Sequence, residues 1–94
     1  MALESEIEML KLETIHQEMN NKQVQQVAHD LHFDYMLTGL DGAEHDPARL
    51  REMIVARFEI YARLNPAYTP TEERLLAAER LFQTKLETGQ AWSQ

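Results

Sequence analysis

The residues best equipped for chemistry are four histidines, His16, His29, His32 and His45, and a plentiful set of carboxylates. His29 and His32 are three apart and would share a helix face, as a metal pair must, with Asp30, Asp34, Glu44 and Asp46 nearby in sequence. The pattern lacks the HExxH arrangement and any cysteine thiolate, so ordinary hydrogen-bonding imidazoles that titrate near neutrality are expected, not ligands. Carboxylates such as Glu4, Glu8, Glu13 and Glu18 fall on helix faces expected to be wet, whereas a catalytic carboxylate needs a cleft and a shifted pKa. No GxGxxG, GxxxxGK[ST] or GxSxG motif is present. The expectation is therefore no catalytic residue, no metal ligand and no cofactor, and a protein that is not an enzyme.

These side chains belong to a chain of 94 residues, 44% apolar and 27% charged, which suits one small domain. Its apolar runs are too short to span a bilayer. The start Met1-Ala2-Leu3-Glu4-Ser5-Glu6 is the opposite of a signal or transit peptide, and with no cysteine the expected compartment is the cytoplasm. Charge is unevenly spread. Residues 1–46 carry ten acids against Lys11 and Lys22, a balance of −8, and residues 47–94 carry six acids against seven bases, a balance of +1. Every arginine lies in the second half. A net charge of −7 argues against a phosphate backbone as ligand, because nonspecific nucleic-acid affinity comes from excess Lys and Arg.

The elements that must position these groups follow from punctuation and periodicity. Glycine and proline are confined to Gly39, Gly42, Pro47, Pro66, Pro70 and Gly89, which divide the chain into helices at about 3–19, 22–38, 47–64 and 70–88. Leu3, Ile7 and Leu10 form one stripe of the first helix and Leu12, Ile15 and Met19 another, with Asn20 and Asn21 placed to break it from the second. The second helix carries Val24, Val27, Ala28, Leu31 and Tyr35 on one face, and Phe33, Met36 and Leu37, continuing into Leu40, away from it. Such a helix is either central in the monomer or shared with a neighbour. Asp46-Pro47 is a strong helix start, and Leu50, Met53, Ile54, Phe58, Tyr61 and Leu64 stripe the third helix. Thr69-Pro70-Thr71-Glu72 has the form of a capping box, and Leu75, Ala78, Phe82 and Leu86 face inward from the fourth helix, which Gly89 closes. The four-residue link at Asn65–Tyr68 predicts an antiparallel hairpin of the last two helices. No repeat, low-complexity tract or strand-like alternation is found. The fold class expected is all-α, a single four-helix domain over residues 1–89 with the hairpin packed on the acidic first half, followed by a tail at 90–94 with a lone Trp92.

Two comparisons refine the functional expectation. Gln26-Val27-Ala28-His29-Asp30-Leu31 has the character of the first helix of a helix-turn-helix, but the turn position is His32, and the following element offers Asp34 and no Arg or Lys to phosphate. The helix, short turn and helix from Arg51-Glu52-Met53-Ile54 to Leu86 resembles in shape the small aspartyl-phosphate phosphatases that act on sporulation response regulators. Their Ser-Gln-x-Leu-Asp signature corresponds here to Ala78-Glu79-Arg80-Leu81-Phe82, which keeps only the leucine, so the resemblance implies a hairpin and not the activity.

The function expected is a non-catalytic protein-interaction or regulatory module that docks on another protein. Its contact residues would be Phe33, Met36, Leu37 and Leu40 on the second helix or an arginine-lined face of the last two helices, with the apolar residues supplying most of the affinity and Arg49, Arg57, Arg63 and Arg80 orienting an acidic partner. The surplus apolar face also suggests a homodimer, with no nucleic acid and no membrane as partner. A transcription-linked DNA-binding regulator, or a small enzyme or metal protein, is the alternative.

Overall fold

The computed structural model describes residues 11–88, and the calls on residues 3–10, Gly89 and the tail with Trp92 lie outside them. The protein is all-α, a small bundle of four helices with no strand among the described residues. Residues 11–18 are helical (α1), followed by α2 (Lys22–Thr38), α3 (Pro47–Ala62) and α4 (Glu72–Thr88). Single 3₁₀ turns lie at Ala43–His45 and Pro66–Tyr68.

Local chemistry sets the ends. Met19 and Asn20 form a turn after α1, and the Asn21 side chain accepts from the amides of Gln23 at 2.8 Å and Val24 at 3.3 Å, which restarts the helix as α2. Gly39 stops α2 with φ +73°, a left-handed value that a side chain resists, while its amide still donates to the Tyr35 carbonyl. Asp46 caps α3 through the amides of Ala48 and Arg49, and Pro47 fills the first helical position.

The third and fourth helices depart from expectation at their junction. α3 ends at Ala62, and Leu64 is the most exposed large apolar side chain among the described residues, not a stripe member. The linker is accordingly longer, and its 3₁₀ turn folds back on α3, with the Tyr61 and Tyr68 rings 4.9 Å apart. No capping box forms. The Thr71 hydroxyl caps α4 by accepting from Arg74 N at 3.2 Å, and Thr69 instead donates its hydroxyl to the Pro66 carbonyl at 2.7 Å. The shift follows from where the helix starts: Pro70 and Thr71 lie outside α4, which begins at Glu72, so Thr71 directly precedes it and Thr69 is two residues too early to cap.

α4 runs antiparallel to α3. Arg51 of α3 pairs with Glu72 and reaches Glu79, and the Gln83 side chain lies beside the Glu44 carbonyl just ahead of α3. Among α2, α3 and α4 the broadest contact is nevertheless between α2 and α4. Phe58 and Phe82 are completely enclosed, together with Val24, Val27, Ala28, Ile54, Ala77 and Ala78, and Ile15 of α1 joins the same core. Burying a phenylalanine to this extent contributes about 1.5–3 kcal/mol, so these two rings fix how α3 and α4 meet α2.

Candidate docking surface

The core face of α2 is fully used. Val24, Val27 and Ala28 are completely enclosed and Leu31 almost so, which orients the helix without ambiguity. At about 100° per residue, Met36, Phe33 and Leu37 then occupy an arc of roughly 100° on the outer side. They are exposed by 64%, 51% and 66%, large values for side chains of this kind.

Leu40, expected beside them, is only 6% exposed and belongs to the core cluster. The reason is the turn at Gly39. Helical phase carried past Thr38 would keep Leu40 on the outer stripe, but the left-handed glycine and the following Asp41 (φ +53°) and Gly42 (φ +83°) swing the backbone round and put Leu40 under the 3₁₀ turn, with Ala43.

A polar seam separates the outer face of α2 from α3. The Arg57 guanidinium donates to Asp34 at 2.6 Å, and the Tyr61 hydroxyl donates to Asp30, which also accepts from the Gln26 amide at 2.8 Å. The sequential order, 30 to 61 and 34 to 57, shows the two helices antiparallel. Beyond Arg57 on that edge of α3 lies Ile60, 53% exposed, and after the helix end Leu64. Both escape sequence inspection, since Leu64 keeps core periodicity and an isolated isoleucine carries no signal; the only clue is the proline two residues after Leu64, which stops the helix.

The arginines do not form one face. Arg57 turns inward to Asp34, Arg49 donates to the Asp41 carbonyl at 3.3 Å, and Arg80 lines a groove with α1. Arg63, just past the helix, and Arg80 are exposed and form no ion pair with the described residues. Arg51 and Arg74, which were not singled out, are the bridging cations: Arg51 joins Glu72 and Glu79, and Arg74 holds Glu18 of α1 at 2.9 Å while donating to the Ala67 and Thr69 carbonyls.

The remaining ionisable groups sit at helix junctions. His32 is 5% exposed between α2 and α4, its ring edge-on to Phe82 at 6.0 Å, and burial, reinforced by Lys85 and His29, holds its pKa below the usual imidazole range. Glu79 borders an open groove of about 470 Å³ between α1 and α4, with His16, Met19, Leu76 and Arg80. Burial raises its carboxyl above the ordinary range, against the pull of Arg51 at 3.8 Å, and one oxygen has no hydrogen-bond partner. Among the described residues no three His, Asp or Glu side chains converge as a metal site would require. No described helix is long and apolar enough to cross a membrane. Comparison with known protein families, with curated proteins and with solved structures finds no match to this chain.

Proposed function

We propose that this protein is a non-catalytic docking module that binds another protein through the outer face of α2, with Phe33, Met36 and Leu37 as anchors and Ile60 of α3 at the flank. The supporting observation is that three contiguous large apolar side chains stand in water on a helix whose inner face is already complete. They add little to the fold, and a cluster of this kind on a small acidic domain marks a contact surface. The arginines have a smaller part than their number suggests, because Arg57 and Arg49 are engaged within the domain.

A homodimer through the same face is the other occupant to consider. In a two-fold contact the identical patch meets itself, which would bring together two copies of Asp34 and Asp41 on chains of net charge −7. That repulsion favours a different protein over a second copy.

Photo-crosslinking tests the proposal. A crosslinker at position 37 should give one discrete adduct in the host that is absent with the crosslinker at Glu59, which lies exposed on the opposite flank of α3. The same adduct from both positions, or none from position 37, would refute the surface assignment.

A further inference from the structure

Building on that docking reading, we infer the chemistry of the partner: a basic amphipathic helix, its apolar stripe seated on Phe33, Met36 and Leu37 and its Lys or Arg side chains on the carboxylates beside them. Phe33, Met36 and Leu37 follow the i, i+3, i+4 spacing of a helix ridge, and a ridge packs best into the groove between side chains of another helix. The occupant is therefore matched in shape by a helix with apolar residues at the complementary spacing.

The sign of its charge follows from what surrounds the ridge. Met36 and Leu37 lie in the last turn of α2, where no basic residue offsets the negative end of the helix dipole. Thr38, the one polar side chain there, turns its hydroxyl back to the Asp34 carbonyl. Asp34 is 42% exposed at its side chain, so its pairing with Arg57 leaves it open to a second donor. Asp41, just beyond the helix, is exposed, and Arg49 binds its backbone carbonyl and not its carboxylate. Between residues 22 and 46 five acids stand against Lys22 alone. Lys22 is at the far end of α2, about 20 Å from Met36 at about 1.5 Å per residue. The whole chain, at −7, adds a field that draws in a cationic partner and speeds its encounter. A basic partner departs from the expectation of an acidic one held by arginines, since Arg57 is taken up by Asp34 and the carboxylates nearest the ridge, Asp34 and Asp41, keep exposed oxygens.

Fluorescence anisotropy with three labelled synthetic peptides tests this on the intact protein. The first has Leu and Phe at helical spacing with Lys flanks, the second has the same apolar stripe with Glu flanks, and the third has the first peptide's composition with the stripe scrambled. The first should bind at least about tenfold more tightly than either of the others at low salt, and should weaken as salt is raised. Leu37→Ser should lower its affinity about tenfold, as loss of a central apolar anchor does. Asp41→Asn, which keeps a residue tolerant of positive φ, should weaken binding less and make it less salt-dependent. Circular dichroism of both variants should match the parent. Preference for the Glu-flanked peptide through Leu37 would overturn the partner's charge while leaving the docking surface in place. Binding of none, or equal binding by the Leu37→Ser protein, would overturn the surface as well. A protein found dimeric by sedimentation, and made monomeric by Leu37→Ser, would show a second copy to be the occupant and refute the inference.

Discussion

Leu37 and Leu40 are the same residue type three positions apart, one largely in water and the other in the core, so they provide a direct test of the geometry on which the docking surface rests. Leu40→Ala removes enclosed methyl groups from the cluster containing Ala43 and Leu50. Buried leucine truncations cost about 2–5 kcal/mol, and the turn around Leu40 can relax into the space, which places this one near the lower end, about 2–3 kcal/mol. For a domain of this size each kcal/mol moves Tm by about 4–8 °C, so the melting midpoint should fall by roughly 10–20 °C. Leu37→Ala removes a side chain that has only about a third of its surface covered, a loss of about 0.5–1 kcal/mol, partly offset by alanine's higher helix propensity. Its midpoint should move by no more than about 4 °C. Thermal melts followed at 222 nm, at several protein concentrations, measure both. Equal destabilisation by the two variants would show that Leu37 is covered in the native protein and would remove the basis for a free apolar ridge. A loss at Leu37 that grows with concentration would identify a second copy as the cover.

Three further outcomes follow from the junctions. The folded chain resists protonating His32 while the unfolded chain takes up that proton below its ordinary pKa of 6.5, so stability should fall as pH drops through and below that value; urea titrations should show a smaller fall for His32→Gln. Arg57→Gln should cost less than about 1 kcal/mol, and less still in high salt, because its ion pair with Asp34 is partly exposed; a larger, salt-independent loss would mean that the pair carries structural weight. Thr71→Ala should cost about 1 kcal/mol of stability and Thr69→Ala clearly less, since only Thr71 caps α4, and equal losses in denaturant melts would contradict that assignment.

The helices are legible in the sequence because their signals are local. Asn21, Asp46-Pro47 and Gly39 each act on the nearest turn of backbone, and α2 and α3 begin where those residues place them. Periodicity likewise identifies the buried faces, as in Val24, Val27, Ala28 and Leu31, since a helix has only one way to bring such residues together. The α3–α4 junction is less legible. Two threonines flank Pro70, and which one caps depends on the direction the backbone takes through the proline, a matter settled by how the linker packs on Tyr61. Leu64 shows the same limit from the other side, since it keeps the period of α3 but the helix stops before it can be turned inward.

The surface proposed for docking is only partly visible in the sequence for a different reason. Phe33, Met36 and Leu37 could be separated from the core by helical phase alone, but Leu40 required knowing that the chain reverses through Gly39, Asp41 and Gly42, and phase has no meaning past a left-handed turn. Charge is harder still, because a count assigns a sign to a segment and not to a surface. The basic second half of the chain suggested cations ready for a partner, yet a guanidinium is long enough to find a carboxylate or carbonyl on a neighbouring helix, as Arg57, Arg51, Arg74 and Arg49 all do. The contacts of Arg57, Arg51 and Arg74 pair their charge with a carboxylate, whereas Arg49 bonds a neutral carbonyl and stays exposed, and the short side chain of Asp41 stays where the backbone holds it. A segment's charge count therefore becomes a surface only after each long side chain is traced to its partner: Arg57, Arg51 and Arg74 go to carboxylates of other helices, and Arg63 and Arg80 stay exposed.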